Sequence, residues 1–388
     1  KAAVYVNGSL QCRKLVVIIE GRIGGEGKSY SKGELLGEEL FLRSSAETPS
    51  FTIAAEEDSV VAEIGWDKFI KLFNNVPLDD LAVQSQLLHA SMSQEEEAKL
   101  QYTRKESSTL QLTDFSTLKP LGAGQFGMVF LVKCKIDGGH YGMKCVAKKQ
   151  GIELNIEKNL EQEKMVMDLV IFPFIMRYVL SFSDAFFVYF LLEFIQGMEL
   201  FDAIREIGLL NTKETQFYVG SIILAIEYLH SLSIVYRDLK PENAMIDSKG
   251  FLLLIDLGTA KQLKSSKGFA SAKTFTIIGT PHYMAPEIIS GKGYNYLVDL
   301  WTIGVVMYEF MGGLLPFGEE LSDPYEIYEE IIKKNITYPH YMSDRKDKKL
   351  IEQLMNKVPE IRLDGSYTAL KNHPWFSGFD WVILYSYS

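Results

Sequence analysis

The sequence predicts an α+β fold in three parts: a small β-barrel or jelly-roll unit with C-terminal helices, a strand-rich lobe, and a helix-rich lobe. Three observations lead there. Short apolar runs punctuated by glycine fill residues 1–70, and a glycine-rich turn between two strand-like runs opens a second β-rich block after residue 112. Beyond residue 196 the apolar period becomes helical. The 388 residues, 47% hydrophobic and 23% charged, give room for several domains with sizeable cores. A net charge of −10 argues against nucleic acid held by bulk charge and suits partners carrying basic residues. Cys12, Cys134 and Cys145 lack zinc-like spacing and read as free thiols of a reducing compartment.

In order along the chain, residues 14–20, 34–42 and 51–64 read as strands, with Gly8, Gly21, Gly24, Gly25, Gly27, Gly33 and Gly37 as turns. The first strands of this unit are expected to lie upstream of Lys1. Phe69, Leu72 and Phe73, then Leu81, Leu87 and Leu88, recur at helical spacing, which closes the first domain near residue 100. Residues 101–111, with Ser107, Ser108 and Thr109, read as a linker. The next domain spans 112–376, split into a β-rich lobe (112–195) and a helical lobe (196–376), with 377–388 as a tail. Residues 213–230, 296–311 and 325–333 are predicted helices. The apolar stretch 169–195 contains Pro173, Arg177, Asp184 and Glu193, so it reads as buried strands rather than a transmembrane segment. Lys1 leads into a strand-like run and no secretory signal is evident, so a cytoplasmic location is expected, or a peripheral one at membranes through segments outside this sequence.

The chemistry lies in four motifs. Gly122-Ala123-Gly124-Gln125-Phe126-Gly127-Met128-Val129 lets backbone N–H groups approach phosphate oxygens, because residues 122, 124 and 127 lack side chains. A dinucleotide site would continue into a helix; here Val129-Phe130-Leu131-Val132 continues as strand. Then come Tyr236-Arg237-Asp238-Leu239-Lys240-Pro241-Glu242-Asn243, Asp256-Leu257-Gly258 eighteen residues after Asp238, and Thr280-Pro281-His282-Tyr283-Met284-Ala285-Pro286-Glu287.

In order and spacing these motifs resemble those of protein kinases, with Tyr236 in place of the usual His. The resemblance implies γ-phosphoryl transfer from ATP with Mg2+ or Mn2+. Asp238 would accept the substrate hydroxyl proton, Lys240 would neutralise charge on the transferred group, and Asn243 and Asp256 would hold metal. Lys144 would contact the α- and β-phosphates, paired with Glu163 nineteen residues downstream; Lys148 and Lys149 compete for the first role, Glu157 and Glu161 for the second. Leu121, Gly122, Ala123, Gly124, Gln125, Phe126, Gly127, Val129, Leu192, Glu193, Ile195, Glu199 and Met245 would line the ATP site.

Leu112-Thr113-Asp114-Phe115 and His373-Pro374-Trp375-Phe376 resemble the AGC group of Ser/Thr kinases. With the β-rich unit ahead, and with 278–287 and 221–230 worded as in apicomplexan enzymes, the chain resembles the C-terminal half of a cGMP-dependent protein kinase. That likeness implies an activation-loop phosphosite at Thr276 served by Arg237, with Ser265, Ser271 and Thr274 as alternatives. It implies Glu199, Glu242 and Glu309 as readers of basic residues before the acceptor, and Glu287, Arg362 and Asp299 as structural residues. Its partners would be basic protein substrates, a cyclic-nucleotide effector and upstream regulatory domains of the same chain, with no nucleic acid and no transmembrane segment.

Four departures bear on function. Leu257 replaces Phe, Gly142 replaces Ala over the adenine site, and bulky Leu192 stands where apicomplexan enzymes carry a small Thr. Residues 31–39 resemble a cyclic-nucleotide cassette, with Gly37, Glu38 and Ser50 as its contacts, yet no Arg follows where the cyclic phosphate would need one; Arg43 comes too early. The unit is therefore either a cGMP site or a docking module that binds no nucleotide.

Overall fold

The computed structural model describes the strands within residues 3–64, and residues 110–386 apart from 125–126, 149–155 and 264–270. The chain divides into two units, Lys1–Glu95 and Glu96–Ser388.

In the first unit the described backbone forms two four-stranded antiparallel sheets. One joins β1 (Ala3–Val6), β8 (Ser59–Ile64), β3 (Leu15–Glu20) and β6 (Leu35–Leu36) in that order; the other joins β2 (Ser9–Cys12), β7 (Phe51–Ala55), β4 (Ile23–Gly25) and β5 (Lys28–Tyr30). The described strands of this unit are thus short and paired in two sheets. One expectation changes: the run 51–64 holds two strands, Phe51–Ala55 and Ser59–Ile64, that belong to different sheets. Of 34–42, Leu35–Leu36 is strand and the rest lies outside the described residues. The expected helices of 66–100, the linker 101–109 and the cassette residues Gly37, Glu38 and Ser50 lie outside the described residues.

The second unit opens with a five-stranded antiparallel sheet. Its order is β12 (Tyr178–Ser183), β13 (Phe187–Glu193), β11 (His140–Ala147), β10 (Gly127–Cys134), β9 (Phe115–Gly124). Val132, Met143 and Leu191 from its three central strands form one core cluster, edged by Phe115, Phe130, Tyr141 and Phe182. One helix, α1 (Ile156–Leu169), buries Leu160, Glu163, Val166 and Met167, the spacing of a single helical face. The stretch 169–195 supplies β12, β13 and the buried Val170, Phe172, Phe174 and Ile175, as read from the sequence. Among the described residues no helix is long and apolar enough to cross a membrane.

The remainder is mostly helical. After β14 (Gly197–Glu199) come α2 (Leu200–Ile207) and α3 (Thr212–Ser231). In α3 the Asn211 side chain accepts from two backbone N–H groups while Glu214 reaches back to the Asn211 N–H, a reciprocal cap. Short β15 (Ile234–Val235), β16 (Ala244–Asp247), β17 (Leu252–Leu254) and β18 (Lys261–Gln262) frame the loops that hold the motifs. Then follow α4 (Pro286–Ile289), α5 (Leu297–Gly312), α6 (Pro324–Lys333), α7 (Arg345–Leu354), α8 (Tyr367–Lys371) and α9 (Trp381–Ser386). Every residue of α5 except Glu309 is buried, so this helix, apolar all round, is the axis of the lobe. The three expected helices in this lobe form within one residue of their expected ends.

Candidate active site

Strand alternation puts Gly142 and Lys144 of β11 on one face, opposite Leu192 and Phe190 of β13. Lys144 Nζ meets Glu163 Oε1 of α1 at 2.6 Å and lies 3.7 Å from Asp256 Oδ1. Burial alone would lower the Lys144 ammonium, but Glu163 and then Asp256 more than offset it and hold it above its ordinary value. Two of the four competitors are placed elsewhere. Lys148 is spent on the Asp184 carbonyl at the lobe surface and Glu161 is exposed, while Lys149 and the Glu157 side chain lie outside the description. The neighbouring residue of the same helical turn, Gln162, donates to the Ala260 carbonyl at 2.8 Å, so α1 is tied to the segment after Asp256 as well as to β11.

The loop from Tyr236 to Asn243 is held from beneath. Asp299 of α5, fully buried, accepts from the N–H of Tyr236 (2.8 Å) and of Arg237 (2.9 Å). That grip maintains Arg237 at φ 74°, a left-handed conformation arginine seldom adopts. Asp238 then projects with its carboxylate ringed by donors. Oδ1 accepts from Thr280 N (2.9 Å) and Oγ1 (2.8 Å), and Oδ2 from Asn243 Nδ2 (2.9 Å), with Lys240 Nζ at 3.3 Å. Lys240 also donates to Thr280 Oγ1 at 2.7 Å. Sequence reasoning passed over Thr280; the signal was Gly279 before it. At φ 117° and with Arg237 O 2.8 Å from where a Cβ would sit, Gly279 alone lets the segment press against the loop.

Asn243 turns its amide nitrogen to Asp238, which leaves its Oδ1 as the atom able to meet a cation. Asp256, half exposed, has Oδ1 steadied by Gly258 N at 2.9 Å, and Ile255 N donates to Asn243 O, linking the two. A carboxylate and an amide oxygen are a hard, sparse donor pair. They fit magnesium or manganese that completes its shell with phosphate oxygens and water. Among the described residues no cluster of three or more His, Cys, Asp or Glu could hold a metal without such help.

At the glycine turn, a Cβ on Gly127 would stand 2.0 Å from Cys145 O, so only glycine permits β10 and β11 to pair there. Gly122 faces open space. Leu121 is exposed, Leu192 and Ile195 are buried, and Glu193 receives the Arg177 N–H at 2.6 Å. Glu199 pairs with Met245 across β14 and β16. The side chain of Ala123 and all of Gln125 and Phe126 lie outside the description. A Cβ on Gly142 would rest 3.8 Å from Glu193 O and Leu192 Cβ, and 3.9 Å from Val129 Cγ1, ordinary contact distances.

The acidic trio shares one field. Burial, then Asp202 and Glu242, raises Glu199; burial, then Glu242 and Glu319, raises Glu309 to about 7 against the opposing Tyr283 hydrogen bond and Arg205. Tyr283 OH donates to Glu309 Oε2 at 2.7 Å, and Glu242 Oε2 is buried without a hydrogen-bond partner. Thr276 is exposed, and its side chain is not brought to Arg237. The Arg237 guanidinium instead donates to Thr259 O (2.7 Å) and Tyr294 OH (3.4 Å), while Tyr294 OH donates to Thr276 O (2.6 Å). Lys261, also missed from sequence, donates to Thr274 Oγ1 at 3.1 Å and is lowered by burial, then by Arg237. Thr274 is buried, Ser271 is exposed, and Ser265 is outside the description. Glu287 and Arg362 form the expected pair, at 2.5 and 2.8 Å, with Arg362 5.2 Å above the Trp301 ring.

Comparison with known proteins gives the same direction. The protein kinase domain family matches residues 115–376. The chain is 45% identical over 290 residues to the cGMP-dependent protein kinase of Plasmodium berghei (strain Anka), covering 74% of this chain and 32% of that protein. It is 43% identical over 281 residues to the protein of the same name from Eimeria tenella, covering 72% and 27%. It is 34% identical over 369 residues to cGMP-dependent protein kinase, isozyme 1, of Drosophila melanogaster, covering 91% and 46%. The chain thus spans about a third or less of the two apicomplexan relatives. With the motifs assembled as described, this chain belongs to the protein kinase family and carries a Ser/Thr protein kinase domain.

Proposed function

We propose that the chain transfers the γ-phosphoryl group of ATP to Ser or Thr in proteins with basic residues before the acceptor, under control of cGMP bound by the N-terminal unit. The observation that carries the transfer is that Lys144 reaches both Glu163 (2.6 Å) and Asp256 (3.7 Å), together with an Asp238 held by four donor atoms. A divalent cation, held by Asn243 and Asp256, would supply charge neutralisation at the phosphates. Lys144 orients the α- and β-phosphates; Asp238 receives the acceptor hydroxyl's proton and aligns its oxygen in line. Lys240 balances charge on the group in transit.

Glu199, Glu242 and Glu309 support the preference for basic substrates: burial raises Glu199 and Glu309 and the Glu242 charge adds to both, so an arriving cation relieves an unfavourable field. Phosphate on Thr276 would find Arg237 and Lys261 nearby, joining the activation segment to the loop. Cyclic-nucleotide control is supported by the Drosophila relative, whose match covers 91% of this chain and so includes much of the N-terminal unit. The missing Arg after Glu38 favours a second reading, in which that unit docks without binding nucleotide. Phosphorylation of a basic Ser peptide, measured alone, with cGMP and with cAMP, separates the two. Stimulation by cGMP supports control by nucleotide, and equal rates under all three conditions dispose of it.

A further inference from the structure

His230, in the last turn of α3, is buried beneath the catalytic loop. Its Nε2 lies 2.7 Å from Asp299 Oδ2, on the carboxylate that grips the Tyr236 and Arg237 amides. Its Nδ1 lies 2.6 Å from the hydroxyl of Tyr367, the first residue of α8. Tyr296 and Tyr367 pack edge-on against the imidazole. Burial, with Glu227, Asp299 and Tyr296 nearby, pushes the Tyr367 hydroxyl well above its ordinary range, so it has a proton to give. A neutral imidazole serves both partners in one tautomer only, with Nδ1 accepting from Tyr367 and Nε2–H donating to Asp299.

We infer that Tyr367 is a positioning residue for phosphoryl transfer, acting through His230 and Asp299 to hold Arg237 in its left-handed conformation and so aim Asp238. It touches none of the reacting groups and lies 129 residues beyond Asp238 in sequence. Without its hydroxyl, Nδ1 loses its donor, and the ring is no longer bound to the tautomer that offers N–H to Asp299. The carboxylate then has a weakened grip on two amides whose geometry opposes relaxation.

The inference rests on the kinase activity of this chain. The test is steady-state phosphorylation of a basic Ser peptide by the 388-residue chain, with thermal midpoints recorded in parallel. In Tyr367→Phe, kcat falls about fivefold to tenfold, the effect of one ordinary hydrogen bond felt at the transition state, while KM for ATP and peptide stays unchanged. Tyr308→Phe, which removes a hydroxyl bonded to Thr337 O at 2.8 Å elsewhere in the lobe, lowers the midpoint comparably and leaves kcat alone. His230→Gln retains a donor for Asp299 and an acceptor for Tyr367 and keeps most of kcat, whereas His230→Leu loses it. Adding Tyr367→Phe to His230→Leu then costs nothing more. Full kcat in Tyr367→Phe, or additive losses in the double variant, overturns the inference while leaving the kinase assignment standing. An inactive wild type overturns both.

Discussion

Thr280 offers the sharpest test of how the site is built. Its hydroxyl donates to Asp238 Oδ1 at 2.8 Å and accepts from Lys240 at 2.7 Å, so one oxygen spaces the base from the cation. Thr280→Ala leaves Asp238 Oδ1 with the backbone N–H alone and Lys240 with only Asp238 Oδ2 at 3.3 Å. Each hydrogen bond to a charged group contributes about 1.5–3 kcal/mol. One of the two expressed in the transition state gives a fall in kcat of about 10- to 150-fold, since about 1.4 kcal/mol is tenfold in rate. Thr280→Ser keeps the oxygen and stays within about threefold of wild type. The assay is initial-rate phosphorylation of a basic Ser peptide with ATP and peptide varied separately. A Ser variant as damaged as the Ala variant would rule out this role for the oxygen, because the methyl and not the hydroxyl would then be what matters. So would an Ala variant with full kcat.

Other outcomes follow from the same geometry. Glu163→Gln removes a carboxylate whose side chain is 6% exposed, leaving Asp256 at 3.7 Å as the neighbour of Lys144; KM for ATP rises and kcat falls, together by about a hundredfold in kcat/KM, as loss of about 3 kcal/mol would produce. Glu309 titrates near 7 when folded against an ordinary 4.5, so its burial costs stability as pH rises through 7 and costs nothing below 4.5. An arriving basic residue needs it ionised, so KM for a basic peptide rises as pH falls through 7. Glu309→Gln flattens that rise, and Tyr283→Phe, by removing a bond that lowers the pKa, moves it to higher pH. Gly142→Ala fits at 3.8 Å contacts and raises the thermal midpoint slightly, while Gly127→Ala, with a Cβ 2.0 Å from Cys145 O, unpairs β10 from β11 and abolishes ATP binding.

The sequence was most informative where chemistry demands fixed residues at fixed spacing. Lys144, Glu163, Asp238, Lys240, Asn243 and Asp256 could be named from motif order, and Glu163 won over Glu161 because only one of them lies on the buried face of α1. The helices were legible because their apolar period is long, whereas the burial of α5 on nearly every side emerges only in the fold. Contacts made across long chain separations were not legible. Thr280 reaches Asp238 across 42 residues, Gln162 reaches Ala260 across 98, and Tyr367 reaches His230 across 137. Residue types as ordinary as Thr, Gln and Tyr carry no local signal for such pairings; only the fold reveals them. The same holds for β7 and β8, where one apolar run hides a change of sheet.

In the proposed mechanism Asp238, presented by the Asp299-held loop, aligns an acceptor hydroxyl opposite phosphates gathered by Lys144 and Asp256. Transfer of labelled γ-phosphate to a basic Ser peptide, compared between wild type and Asp238→Asn, tests it most directly. The wild type turns over, and the variant loses about a hundredfold or more while retaining ATP binding. Equal turnover by the two proteins, or a wild type that binds ATP and transfers nothing, would contradict it.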